Sequence, residues 1–208
     1  MRVKANYILP STGFFEIDNG SSVYRLIEKL TPAMTQDQLA EFYEIEKAKG
    51  NPLPMNAIQH IELFRDAMNS KNSDLLNFLQ RNLRTKFPNT LTRIVYNLIG
   101  EDDEVIHNFG TSDAYSLRGE IVGRDCLIKD IEDPNVLKLL VGTKGIKTLN
   151  KTSYAINSTP MFLWRRNSKT SIKSERVLGL YAYPIGFNLY ANRLLSYEYP
   201  AFLVEQVK

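Results

Sequence analysis

The chain has 208 residues, 43% of them hydrophobic and 24% charged, so it is long enough and apolar enough to fold around a sizeable core. Cys126 is the only cysteine, which excludes an intramolecular disulfide and favours a reducing environment. Residues 1–9 lack the apolar run of a signal peptide, and no segment has the roughly 20 apolar residues of a membrane-spanning helix. We therefore expect a cytoplasmic protein that does not contact membranes.

The net charge of +3 is unevenly distributed along the chain. Residues 1–80 carry eight Lys and Arg against ten Asp and Glu, and residues 81–150 carry ten of each. Residues 151–208 carry eight basic residues against three acidic ones, so the basic excess lies at the C-terminal end. Such an excess attracts nucleic acid or an acidic partner, although a solvated surface commonly shows it too.

The first 30 residues combine strand and helix signals. Segments 3–9 and 14–17 have the composition of short strands, and the turn-forming residues 18–20 follow them. Ser21 or Ser22 is expected to cap a short helix that extends to residue 30.

Three amphipathic helices are then predicted in succession. Thr35 caps the first of these helices and Gly50 ends it, because apolar and acidic residues between them fall on opposite sides at helical spacing. Apolar residues recur at the same spacing over 58–69 and over 73–83, where Ser73 is the expected cap. These three helices would form a small bundle or a layer whose apolar faces need a partner surface.

The periodicity changes in the second half of the chain. Segments 91–96 and 104–109 are rich in β-branched and aromatic residues and flank a turn-forming segment, which predicts a hairpin. A helix over 89–99 is the alternative. The remaining expectations are strands within 117–131, helices over 134–141 and 143–157, and strands over 161–165, 176–183, 187–191 and 201–207.

Together these elements predict an α+β fold in which an N-terminal helical layer or small bundle packs with a mostly antiparallel C-terminal sheet. We expect a single domain over 1–208, with a helix-rich half at 1–88 and a strand-rich half at 89–208.

Few residues of the chain are suited to metal binding or nucleophilic catalysis. His60, His107 and Cys126 are widely spaced, so we expect no transition-metal site, no catalytic pair of His107 with Cys126, and no cofactor. His60 is expected at the edge of a helix face and His107 at a polar strand position. The segment 142–145 resembles a phosphate loop only in its glycines, and a structural turn after a helix is the favoured interpretation.

One acidic pattern keeps an enzymatic hypothesis open. Glu120, Asp125 and Lys129 alternate with apolar residues, as metal-binding carboxylates beside a lysine do in some phosphodiesterases. The denser acidic run at 101–104 is more simply the solvated tip of the hairpin.

The most distinctive pattern is a basic segment that contains the only tryptophan. Arginine and lysine neutralise phosphates, and an exposed indole ring can stack on a base, although a buried tryptophan beside a solvated basic loop is the simpler interpretation of the pattern. The candidate binding residues are Trp164, Arg165, Arg166, Lys169, Lys173 and Arg176.

Aromatic residues are concentrated further towards the C-terminus, where they suit either an interface or one inward face of a sheet. These residues are Tyr181, Tyr183, Phe187, Tyr190, Tyr197, Tyr199 and Phe202.

The main hypothesis is a non-enzymatic binding protein whose partner is nucleic acid, another protein or a second copy of the chain. Its basic loop should then lie exposed near Arg81, Arg84 or Arg193. The alternative is a metal-dependent nuclease or other hydrolase.

Overall fold

The computed structural model describes residues 2–9, 12–108, 115–118, 126–127, 135–143, 145–164 and 171–207. These residues form five helices and two β-sheets, which confirms the predicted α+β class. The helices are α1 (Gln36–Lys49), α2 (Ala57–Ser70), α3 (Ser73–Thr85), α4 (Asn135–Val141) and α5 (Ile146–Asn157).

Twelve strands lie within the described part of the chain. The first six are β1 (Arg2–Leu9), β2 (Thr12–Asp18), β3 (Val23–Ile27), β4 (Leu53–Pro54), β5 (Asn89–Tyr96) and β6 (Glu104–His107). The other six are β7 (Tyr115–Arg118), β8 (Cys126–Leu127), β9 (Met161–Trp164), β10 (Ser174–Tyr183), β11 (Gly186–Arg193) and β12 (Leu203–Gln206).

The smaller sheet has the strand order β1-β2-β3-β12-β4, and all its pairs are antiparallel. The helix expected up to residue 30 is wrong, because this segment forms β3. Tyr24 and Leu26 point inward from β3 at strand spacing. Ser21 and Ser22, the expected caps of that helix, lie instead in a turn. Their backbone N–H groups each donate a hydrogen bond to the side-chain oxygen of Asn19 at 3.0 Å, which closes the turn.

The larger sheet has the order β7-β6-β5-β10-β11-β9-β8. Its pairs are antiparallel except for β11 with β9, which are parallel. The predicted hairpin is confirmed by the pairing of β5 with β6, and the alternative helix over 89–99 is excluded.

The helices begin and end largely where local signals place them. The Thr35 hydroxyl accepts a hydrogen bond from the Gln38 backbone N–H, and Gly50 ends α1 in the left-handed conformation with φ of 72°. For α3 the cap lies one residue earlier than expected, because the Asn72 side chain accepts from the Leu75 N–H at 2.9 Å.

Helices α2, α3 and α5 pack on one face of the larger sheet, over β5, β10, β11 and β9. Phe64 of α2 meets Phe187 of β11 edge to face, with ring centroids 5.7 Å apart. The same buried cluster includes Leu26 of the smaller sheet and Phe202 of the C-terminal segment. Within the described part of the chain, none of the helices combines the length and apolar character needed to cross a bilayer.

Candidate functional site

The face of the larger sheet opposite α3 and α5 is rich in aromatic side chains. Successive residues of a strand point to opposite faces, so burial of Leu178, Leu180 and Ala182 against the helices turns Tyr181 and Tyr183 outward. The same alternation holds in β11 and β9. The outward residues of the three strands, which we call the aromatic face, are Phe162, Trp164, Tyr181, Tyr183, Asn188 and Tyr190.

The rings of the aromatic face lie against one another. Tyr181 is central, with its ring centroid 5.1 Å from that of Tyr183 and 5.6 Å from that of Tyr190. Phe162 and Trp164 stack with their centroids 6.4 Å apart and an angle of 27° between their planes. Two of these rings remain substantially open to solvent, since Trp164 is 41% exposed and Tyr183 is 46% exposed.

Trp164 is held in a defined orientation at the end of β9. Its indole Nε1–H donates a hydrogen bond to the side-chain oxygen of Asn188 on β11. The neighbouring Phe162 ring lies over Gly186, where a Cβ would come within 2.8 Å of it. The indole is therefore an exposed, oriented ring on the sheet surface.

Arg193 lies buried at the edge of the aromatic face, with 3% of its surface exposed. Its Nη1 donates hydrogen bonds to the Phe87 carbonyl oxygen at 2.8 Å and to the Asn89 side-chain oxygen at 2.6 Å. The guanidinium carbon lies 4.1 Å from the centre of the Tyr199 ring, a cation–π contact. Desolvation lowers the pKa of Arg193 to about 10, so the guanidinium stays charged at neutral pH.

A shift of strand register places Arg193 on this face. Between Val177 and Gly179 the partner strand β11 advances by three residues where β10 advances by two. Without this bulge, Arg193 and Tyr190 would point to opposite faces, yet both contact Tyr181. The guanidinium occupies the space above Gly179, where a Cβ would overlap it.

A cavity of about 270 Å³ opens beside Arg193. Arg176 on its wall donates from Nε to the Asn192 side-chain oxygen at 3.2 Å and from Nη1 to the Glu175 carbonyl oxygen at 2.7 Å. The Glu175 carboxylate bonds Arg93 instead, at 2.9 Å. The residues that line this cavity, which we call the arginine pocket, are Arg176, Tyr190, Asn192, Arg193, Leu194 and Tyr197.

The predicted basic segment begins at the aromatic face. Trp164 is the last described residue before 165–170, and Lys173 after this segment is exposed. Arg165, Arg166 and Lys169 lie outside the described residues. Arg176, the last candidate of this group, lies in the arginine pocket.

The three arginines expected near the basic loop occupy two different places. Arg193 lies on the aromatic face, whereas Arg81 and Arg84 belong to α3, which packs on the opposite side of β10. Arg84 donates to the side-chain oxygen of Asn157 at 2.7 Å, and its cavity also contains the carboxylates of Glu28 and Asp74.

Both histidines are more deeply buried than the sequence suggests, with no measurable exposure of either. The prediction of His60 at a helix edge is therefore wrong. His107 has its two ring nitrogens engaged: Nε2 donates to the Leu139 carbonyl oxygen at 3.0 Å, and Nδ1 accepts from the Thr92 hydroxyl at 2.9 Å. Burial lowers the pKa of His107. Four strands separate β6, which carries His107, from β8, which carries Cys126.

The enzymatic alternative rests on residues that the structure leaves undescribed. Glu120, Asp125 and Lys129 all lie outside the described residues. Among the side chains that are described, no three His, Cys, Asp or Glu residues converge in a way that would hold a metal ion. The glycine-containing segment 142–145 begins with a helix end, since Gly142 follows α4 with φ of 75°.

Comparisons of the chain with protein-family models, with curated proteins and with solved structures find no match. Function must therefore be inferred from the site itself. The sequence indicates Arg193 only as a possible neighbour of the basic loop, because its burial against the aromatic face depends on a bulge between strands. Of the residues that the basic pattern singled out, Trp164 lies on the aromatic face and Arg176 lines the arginine pocket.

Proposed function

We propose that this protein is a non-enzymatic binding protein for single-stranded nucleic acid, with bases stacked on the aromatic face and phosphates bound by the neighbouring basic side chains. The observation that carries the proposal is the exposure of Trp164 and Tyr183 on one sheet face, with the cation Arg193 at the edge of that face. Stacking of a base on an aromatic side chain contributes about 1–3 kcal/mol, whatever the base.

The dimensions of the aromatic face suit a short stretch of unpaired bases. Neighbouring strands lie about 4.8 Å apart, and outward residues on one strand about 7 Å apart, so three strands offer room for two or three stacked bases. In a duplex the faces of the bases are covered by their neighbours, which favours a single strand as the ligand.

A protein partner is the competing interpretation, because aromatic residues are also common at protein interfaces. The exposed apolar side chains Ile172, Ile185 and Leu194 lie in the same part of the chain. The local charge favours nucleic acid, since residues 151–208 carry eight basic and three acidic residues. A nucleic acid meets both requirements of the surface, because its bases provide aromatic contact and its phosphates neutralise the positive charge.

The sequence provides its own probe, because Trp164 is the only tryptophan. We expect its fluorescence to fall when a short single-stranded oligonucleotide is added to the full chain, and to respond far less to a duplex. Tyr183→Ala should weaken binding between about 5-fold and 150-fold, the range that corresponds to loss of one stacked base.

Tyr154→Ala is the matched control, because Tyr154 is 54% exposed on α5, on the opposite side of the sheet. Equal weakening by both tyrosine variants, or an unchanged Trp164 signal with every oligonucleotide, would refute the proposal. Shortening of the oligonucleotide on addition of Mg²⁺ would instead favour the hydrolase hypothesis with Glu120, Asp125 and Lys129.

A further inference from the structure

The arginine pocket contains two cationic side chains whose hydrogen-bonding groups are only partly used. All three hydrogen bonds of Arg193 are made by Nη1, so its Nε and Nη2 make no hydrogen bond to the described residues. Arg176 uses Nε and Nη1, which leaves Nη2 without a described partner. Each guanidinium therefore keeps N–H donors for a ligand.

Neither arginine is neutralised by a carboxylate among the described residues. For Arg193 this is unusual, because the residue is 97% removed from solvent and a buried charge is costly unless it is paired. Its present partners are carbonyl-type oxygens and the Tyr199 ring, which stabilise the cation but leave its charge in place. An anion in the pocket would supply the missing counter-charge.

We propose that the arginine pocket binds the terminal phosphate group of a nucleic acid strand, held by Arg176 and Arg193. This inference rests on the proposed function, because it takes the anion to be part of the strand stacked on the aromatic face. Tyr190 links the two features, since it belongs to the aromatic face and also lines the pocket.

Charge and size favour a terminal phosphate over an internal one. A terminal phosphate monoester carries a charge of about −1.5 to −2 and three acceptor oxygens, whereas an internal phosphodiester carries only one negative charge. The two guanidinium groups match the larger charge, and their planar donor forks suit phosphate oxygens. The cavity of about 270 Å³ is smaller than the usual range of ligand pockets, which suits one phosphate and part of its nucleotide.

Two larger cavities are less suited to an anion. In the cavity of about 470 Å³ beside β12, Arg25 is already paired with Glu16 and Glu205. The cavity of about 590 Å³ beside α3 contains carboxylates as well as arginines. The arginine pocket combines two unneutralised guanidinium groups with walls that contain no acidic residue.

The test compares one short oligothymidylate in three forms, with a 5′-phosphate, with a 3′-phosphate, and with hydroxyl groups at both ends. Affinity for the full chain is measured by quenching of Trp164 at moderate salt. We expect one or both phosphorylated forms to bind about tenfold more tightly than the hydroxyl form. Equal affinities for all three forms would overturn the inference.

Variants separate a specific pocket from general electrostatic attraction. Arg176→Gln should abolish the preference for a terminal phosphate, while Arg176→Lys, which keeps the charge and loses the planar fork, should reduce it. Arg81→Gln removes one exposed charge from α3 and should leave the preference unchanged. A preference that survives in Arg176→Gln, or that is lost equally in Arg81→Gln, would contradict the inference.

The failure of this inference can be distinguished from failure of the proposed function. If oligonucleotides quench Trp164 with no preference for a terminal phosphate, single-strand binding stands and the pocket assignment fails. If no oligonucleotide binds, the proposed function fails and the pocket assignment fails with it.

Discussion

His60 is a polar residue placed among aromatic rings. Its ring centroid lies 6.0 Å from that of Phe64 and 5.8 Å from that of Phe202. Nδ1 lies 2.8 Å from the Asn56 carbonyl oxygen, so Nδ1 carries the hydrogen and Nε2 is an unprotonated acceptor. Nε2 is buried and has no hydrogen-bond partner among the described residues. Burial lowers the pKa of His60 to about 4.

This environment predicts that acid destabilises the protein through His60. The unfolded state takes up the proton below its pKa of 6.5, whereas the folded state resists it down to a pKa of about 4. Stability is therefore lost as the pH falls from 6.5 to 4, by about 3 kcal/mol for this group. Urea unfolding of His60→Leu at pH 7, 5.5 and 4 should show a smaller loss than in the native sequence.

Some acid sensitivity should remain in His60→Leu, because burial also lowers the pKa of His107. Identical losses of unfolding free energy in both proteins would show that His60 takes no part.

The burial of His60 could not be predicted from its own helix. Phe202, which covers it, is distant along the chain.

Among the elements, strand β11 determines the geometry of the candidate site. Its extra residue beside Gly179 brings Arg193 over β10, where the guanidinium also bonds the backbone that leads into β5. Bulges of this kind reorient a side chain without changing the strand order. Gly179 provides the space that the reoriented guanidinium occupies.

Gly179→Ala should therefore displace Arg193. We expect the free energy of unfolding to fall by about 1–3 kcal/mol, because the displaced guanidinium no longer donates to the Phe87 carbonyl oxygen and to the buried Asn89 side-chain oxygen. Urea denaturation measures this loss. Oligonucleotide binding should weaken in the same variant.

A double-mutant cycle provides the control for this prediction. In an Arg193→Met background there is no guanidinium to displace, so Gly179→Ala should change the free energy of unfolding by less than about 0.5 kcal/mol. The same loss in both backgrounds would mean that the alanine acts on the backbone and not on Arg193.

The elements that the sequence predicts correctly are those whose signals are local. Thr35 and Gly50 define α1 within one short segment, and the hairpin of β5 and β6 follows from two neighbouring apolar runs. Strand β3 was missed although it forms a local hairpin with β2, because the sequence favours Ser21 or Ser22 as a helix cap. Its other partner, β12, lies near the C-terminus, with Arg25 opposite Glu205. No window of neighbouring residues contains that pairing.

At the scale of the whole molecule, the candidate site combines a pattern visible in sequence with one that is not. Trp164 and the basic residues after it form a continuous segment, so composition was enough to find them. The aromatic face required the sheet order, because β9, β10 and β11 become neighbours through a parallel and an antiparallel pairing. The arginine pocket required in addition the bulge that places Arg193.

The salt dependence of binding tests this arrangement as a unit. Each phosphate of a single strand that a basic side chain neutralises contributes about −0.7 to the slope of log affinity against log salt concentration. We expect a slope of about −3.5 for the native sequence if each of the five candidate cations at and after residue 165 neutralises one phosphate. These residues are Arg165, Arg166, Lys169, Lys173 and Arg176.

Substitution of charges at two places should affect this slope differently. Arg165→Gln/Arg166→Gln should make the slope shallower by about 1.4, because two phosphate contacts are lost. Lys47→Gln/Lys49→Gln on α1 removes the same charge from a helix that packs on β4 and β5, and should leave the slope unchanged. Equal changes in both variants would mean that the net charge of the molecule attracts the strand. A change confined to the arginine variant would place the strand along the basic segment that begins at Trp164.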